Sequence, residues 1–269
     1  MEMTMMGTVL GLLLLAVPLY VFAALKVKIL RLAATAIVRM LVQLALTGMY
    51  MHWMFRFNHV VLNVLWLVVM TFTAAWMVAR QGKLRRTRML LPVWGSLLAS
   101  VLLVGMYVLF LVVRPGNVWD ARWLVPIAGI LLAGCVNVNA VALREYFVGL
   151  VRFSDTYYYK VGNGATWLQA VAPIVKRALE RAYLPALAHL SALGIVLIPF
   201  MLSGMLVAGF QPWESVALTA VMVAAILCTS VASLLITIVV SHRKVIDKRG
   251  KLADLVRIKP HGVDMNQPD

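Results

Sequence analysis

The sequence predicts an all-α polytopic integral membrane protein of about seven transmembrane helices, with its N-terminus outside and its C-terminus cytoplasmic. Three observations carry that prediction. Of 269 residues, 63% are apolar and 13% charged, with a mean hydropathy of +0.91; an average soluble domain carries about 25% charge. Seven apolar runs approach the roughly 20 residues that cross a bilayer as a helix. The Lys and Arg residues gather in alternate loops between those runs.

The runs are Gly7–Leu25, Leu32–Met54, Val60–Ala79, Met89–Val113, Trp123–Leu143, Ala186–Gly209 and Val216–Val240. None contains Asp or Glu, and Arg39 is the one permanent charge within them. Glu2 precedes the first run, and its basic residues Lys26, Lys28 and Arg31 follow it, which is the pattern of an N-outside anchor rather than a cleaved leader. Arg114-Pro-Gly-Asn marks a turn between the fourth and fifth runs, and Pro212 sits in a short link that brings the sixth and seventh into an antiparallel pair. Trp53, Trp119 and Trp123 stand at run ends, where aromatic belts form.

Basic residues set the orientation. Loops on one side hold three, five, six and, in the tail, seven Lys and Arg; those on the other hold one, two and none. Basic loops stay cytoplasmic, so the tail is inside. The net charge of +15 is then cytoplasmic anchoring, and no nucleic-acid partner is expected. Two cysteines exclude a disulfide scaffold; Cys135 and Cys228 read as packing residues. Residues 1–243 form one transmembrane domain, and residues 244–269 form a basic cytoplasmic tail.

The segment 144–185 between the fifth and sixth runs is far longer than a simple connection requires. A Gly162-Asn-Gly164 turn divides it. Pro173 suits the first turn of a new helix ending near Tyr183, and Pro185 bends the chain into the membrane. The segment reads as two short surface helices, either a docking element for a cytoplasmic partner or an interfacial element held by acidic lipid.

Within the membrane, Thr35, Arg39, Gln43 and Thr47 recur every four residues and form one polar stripe. Charges in the bilayer usually face a bundle interior or a water-filled path, so the stripe lines a pathway or a subunit contact; alternatively Arg39, about 12 Å from the cytoplasmic end, snorkels to the surface. Asn137 and Asn139 are either helix-packing groups or substrate contacts. Gly194, Pro199 and Gly204 permit a hinge or a static bend in the sixth run. Ser230, Ser233 and Thr237 form a helix-contact stripe in the seventh. Met51, His52 and Met54, with Met49 and His59 nearby, are thioether and imidazole groups suited to a soft metal, or simply lipid-facing side chains.

Four stretches resemble a known family: Arg39-Met-Leu-Val-Gln43-Leu44 with Gly48; the basic loop Arg80–Arg88; Pro126-Ile-Ala-Gly129 with Asn137, Ala142 and Leu143; and Gly194, Pro199, Ser203-Gly204, Ala208-Gly209, Pro212 and Glu214. With Gly164-Ala-Thr followed by Gln169-Ala170 and a basic helix, the chain resembles the bacterial iron-export ABC-transporter permeases of FetB type, a family with plant relatives in aluminium tolerance. The resemblance spans about residues 35–240. It departs from the family pattern at Gln169, where Glu is expected, near Ala133-Gly134, where Gly-Asn is expected, and at Met205, where Gln is expected.

The resemblance implies a permease subunit in the inner membrane of a bacterium, working as a homodimer over separate ATPase subunits and exporting a metal ion or metal-linked substrate. Gly164, Ala165, Thr166, Gln169 and Ala170 would form the ATPase-coupling contact. The chain contains no Gly-x-x-x-x-Gly-Lys-[Ser/Thr] loop, so ATP and Mg²⁺ would bind in the partner, and no cofactor is expected here. A channel or secondary transporter is disfavoured by the lack of an intramembrane carboxylate. An intramembrane enzyme is disfavoured by the lack of His-Glu-x-x-His and Gly-x-Ser-x-Gly patterns. A membrane scaffold without transport is the remaining alternative.

Overall fold

A computed structural model of the chain describes residues 5–27, 29–84, 86–193 and 200–245. Among these it is all-helical: α1 Met5–Leu13, α2 Ala16–Ala24, α3 Leu30–Phe57, α4 Val60–Gln81, α5 Arg86–Tyr107 continuing as a π-helix over Val108–Val113, α6 Ala121–Arg152, α7 Ser154–Gly162, α8 Trp167–Ala192, α9 Phe200–Val207 and α10 Pro212–Val245. Five described stretches are long and apolar enough to cross a membrane: Leu30–Phe57, Val60–Gln81, Met89–Val113, Ala121–Arg152 and Pro212–Ser241. The protein is an all-α polytopic membrane protein. The basic tail from residue 246 onward lies outside the described residues.

The chain divides into two units, residues 1–58 and 59–269. In the first, the expected single helix of Gly7–Leu25 is two helices with a turn at Leu14–Leu15. Pro18 is the cause: its ring would clash with the Leu14 carbonyl four residues back, while at the third position of α2 its missing N–H costs nothing. The α3 helix is 28 residues long, and Asn58 closes it in the left-handed region at φ 35°.

In the second unit α6 is the central post, packed against α4, α5, α8 and α10. Its buried residues, among them Ile127, Leu131, Tyr146, Val136 and Ala140, therefore cover more than half of its circumference. The Asp120 carboxylate starts it, accepting from the Arg122 amide at 3.0 Å. The expected turn before it is present: Asn117 accepts from the Trp119 amide at 3.1 Å, and the Asn63 amide of α4 donates to the Trp119 carbonyl at 2.8 Å. Small residues bring the helices close. At Gly82 a methyl group would meet the Ala140 carbonyl of α6 at 3.0 Å, and at Gly134 it would collide with Ile226 of α10. Pro212 opens α10 at the first helical position, as its fixed φ favours.

The sixth apolar run departs most from expectation. Its first part belongs to α8, which begins back at Trp167 and carries both Pro173 and Pro185 in its interior. Neither proline starts or ends a helix, contrary to the sequence expectation. An internal proline costs a helix about 3 kcal/mol, so tertiary packing must hold α8 together. It does so through Ala170, Val171, Ile174, Ala178 and Ala182, a buried stripe on the helix that packs on α6. The run resumes as α9, which packs on α10.

Candidate functional site

The strongest candidate is the hairpin built from the end of α6, α7 and α8. Where the apolar run stops at Leu143, α6 continues nine residues to Arg152. At 1.5 Å per residue its 32 residues span about 48 Å, against about 30 Å of hydrocarbon, so part of it must project from the bilayer. Phe153 turns the chain into α7. That helix ends in a paired cap in which the Ala165 amide donates to the Lys160 carbonyl at 3.0 Å and the Gly164 amide to Val161 at 3.1 Å. Such a cap needs a left-handed residue, and Gly164 provides it at φ 85°.

Two residues later Thr166 starts α8 with a reciprocal cap. Its hydroxyl accepts from the Gln169 amide at 3.4 Å, and the Gln169 side-chain oxygen accepts from the Thr166 amide at 2.9 Å. Gly164, Ala165, Thr166, Gln169 and Ala170 are thus brought together as one corner. Gly164, Thr166 and Gln169 are exposed, Ala165 is half-buried and Ala170 is buried. Gln169 has a structural task that the sequence reading did not assign: it caps α8. The Thr-x-x-Gln spacing was the signal available for it.

From that corner α8 runs back along α6. Gly149 makes the approach possible, since a methyl group there would sit 2.7 Å from Ile174 Cγ2. The Arg181 guanidinium donates to Glu145 at 2.8 Å and ties the two helices further along. The segment is therefore a rigid continuation of α6, not a flexible loop. Leu168 is 61% exposed beside the capped turn, an apolar knob that sequence reasoning passed over. The Tyr157 phenol of α7 is held above its ordinary pKa by burial and by the neighbouring Tyr158.

The second candidate region lies inside the helix bundle. Asn139 is buried and donates to Ser233 of α10 at 2.5 Å, whereas Asn137 is exposed. The two asparagines, two residues apart on a helix, face different ways and are not brought together. Among the described residues the buried Asn139 side-chain oxygen and Tyr146 hydroxyl have no hydrogen-bond partner. The hydroxyl stripe of α10 makes helix contacts, as expected: Ser230 pairs with Tyr183 at 2.8 Å, Ser233 with Asn139, and Thr237 with Ser96 of α5. No one-dimensional signal identifies those partners. Cys135 is buried, while Cys228 is exposed and so is not the packing residue expected.

On α3, Thr35, Arg39 and Gln43 are exposed and Thr47 is half-buried. The Thr35 hydroxyl donates back to the Arg31 and Leu32 carbonyls, so it satisfies itself within the helix. Of the soft-metal candidates, Met54 is buried, Met51 half-buried and His52 exposed. Among the described residues no three His, Cys, Asp or Glu side chains gather as a metal site. Gly204 lies in α9 with open space around it; Gly194 and Pro199 lie outside the described residues.

Comparison with curated proteins gave no match, and comparison with solved structures gave none either. A family model does match, over residues 5–246 and therefore nearly the whole chain. This multi-pass, permease-like membrane protein belongs to UPF0014, described as an uncharacterised protein family.

Proposed function

We propose that the chain is the membrane-spanning permease subunit of an ABC transporter, working as a homodimer in the inner membrane of a bacterium and exporting a metal ion or metal-linked substrate. The N-terminus lies outside and the α6–α7–α8 hairpin lies in the cytoplasm, in keeping with the 21 Lys and Arg residues of that side. A separate ATPase, which holds ATP and Mg²⁺, docks on the corner formed by Gly164, Ala165, Thr166, Leu168 and Gln169.

One observation carries the reading: the exposed corner is rigidly continuous with the central helix. Both arms of the hairpin are helical, and they lock together at Gly149 and Glu145. A displacement of the corner by a closing ATPase is therefore not absorbed as loop motion. It passes into α6 and from there to α4, α5 and α10, which pack on it. The pathway uses the Arg39 stripe of α3, whose exposed charge is costly against lipid and calls for a second copy or water beside it. Within the second unit, the Asn139 oxygen and Tyr146 hydroxyl, unpartnered among the described residues, are further buried polar groups. An arginine-lined path suits an anionic or chelated substrate better than a bare cation.

The test is affinity purification of the tagged chain in mild detergent, followed by assay of ATP hydrolysis with and without added metal ions. A stoichiometric ATPase is expected, and its loss is expected in Leu168→Glu, a change at an exposed side chain. Purification without any ATPase refutes the class; retention of the ATPase by Leu168→Glu refutes the docking corner.

A further inference from the structure

Between the end of α6, α7 and the first half of α8 lies a cavity of about 310 Å³. That is at the lower end of ligand-sized pockets, about 300–1,000 Å³. Its floor is apolar, formed by Val148, Ala170 and Ile174, while its walls carry Arg152, Lys160, Arg177 and Arg181 against a single carboxylate, Glu145. Arg181 is paired with Glu145 at 2.8 Å. Arg152, Lys160 and Arg177 have no carboxylate partner among the described residues.

The two arginines are not simply splayed into water. Both guanidinia lie over the ring of Phe153, Arg152 at 5.8 Å and Arg177 at 5.9 Å from its centre. One aromatic ring thus orients two charges that come from different helices. Three uncompensated cations around one cavity repel one another, and the apolar floor lowers the local dielectric and strengthens that repulsion. An anion relieves it. The planar, multi-donor guanidinium matches the oxygens of phosphate or carboxylate, and at the depth of this pocket phosphoryl headgroups are the anions at hand.

The depth of the pocket narrows the source. Glu145 lies two residues and Arg152 nine residues beyond Leu143, the end of the apolar run, or about 3 and 14 Å along the helix. The headgroup layer occupies about 5–8 Å outside the hydrocarbon on each side. The pocket therefore opens across the headgroup level, where basic pockets beside membrane helices hold acidic lipid headgroups.

We propose that this pocket is a binding site for a phosphoryl anion, held by Arg152, Arg177 and Lys160, with the ligand supplied either by an acidic phospholipid headgroup or by free phosphate. It is distinct from the exposed Gly164–Gln169 corner and does not depend on an ATPase partner.

The test uses the purified full-length chain in nanodiscs of pure phosphatidylcholine, with either phosphatidylglycerol added to the bilayer or inorganic phosphate or pyrophosphate added to the buffer. The readouts are the thermal unfolding midpoint and the lipid retained in native mass spectrometry. Wild type is expected to be stabilised by at least one of the anions. Stabilisation by phosphatidylglycerol assigns the lipid source; stabilisation by phosphate in phosphatidylcholine assigns the free anion. In Arg152→Gln/Arg177→Gln, the apparent affinity is expected to fall tenfold or more. Lys160→Gln, a milder change, is expected to reduce it about threefold and serves if the double variant does not fold. No response to either anion, or an equal response in wild type and variants, overturns the proposal.

Discussion

Replacing Gly149 with alanine tests the close packing that locks the α7–α8 hairpin to the central helix. The added methyl group would lie 2.7 Å from Ile174 Cγ2, and an ordinary contact requires at least 3.4 Å. Ile174 is buried and its Cγ2 is attached directly to Cβ, so no distal rotation removes the clash. The α6 and α8 helices must separate locally, which costs about 1–3 kcal/mol for an overpacked site. At roughly 2–4 °C per kcal/mol for a chain of this size, the thermal midpoint in a fixed detergent should fall by about 2–12 °C. Ile174→Ala alone should also destabilise, by about 2–5 kcal/mol, because it empties a packed position. The two changes together should cost less than their sum by about 1–3 kcal/mol, since the second deletes the atom that the first collides with. An unchanged midpoint for Gly149→Ala, or strict additivity in the double variant, would refute the close packing. If the proposed ATPase coupling holds and the lock transmits its force, Gly149→Ala should retain the proposed ATPase yet lower the metal response of ATP hydrolysis.

Four further changes follow from the same geometry. Thr166→Ala should destabilise α8 by about 1 kcal/mol through loss of its cap, and Gly164→Ala by a similar amount because its φ of 85° suits glycine; helix content and thermal midpoint would report both, and no change in either variant would contradict the capped corner. Asn139→Leu should shift stability by only about 1 kcal/mol, since it gives up the bond to Ser233 but also removes an unpartnered buried oxygen, while transport falls; full transport would remove Asn139 from the pathway. Lys83→Gly should raise stability by about 0.5–1 kcal/mol, because Lys83 closes α4 at φ 53°, and a lowered midpoint would argue against that conformation.

Much of the capped corner at Gly164–Gln169 was legible in the sequence because turn chemistry is local. A Gly-Asn-Gly turn followed by a Thr-x-x-Gln spacing specifies two caps without reference to any distant residue. The break at Leu14–Leu15 was equally local: Pro18 signals it, and the eye passes over it within a uniformly apolar run. The prolines of α8 misled for the opposite reason. Locally Pro173 and Pro185 argue for helix boundaries, and only burial of the Ala170–Ala182 stripe on the helix that packs on α6 overrides them. The placement of the basic pocket was hidden too, since Arg152 and Arg177 lie 25 residues apart and meet over Phe153 only because the hairpin folds back.

The sequence by itself determined that this protein lives in a membrane and where most of its long apolar helices lie, because hydropathy and turn residues act over a few residues at a time. The tertiary structure decided which polar groups pair inside the bundle and that the long segment 144–185 is a stiff extension of the central helix. Those outcomes depend on side chains far apart in sequence coming within a few ångströms: Gly149 of Ile174, Glu145 of Arg181, Asn139 of Ser233. Contact between distant positions depends on how whole helices pack, and no local pattern encodes it.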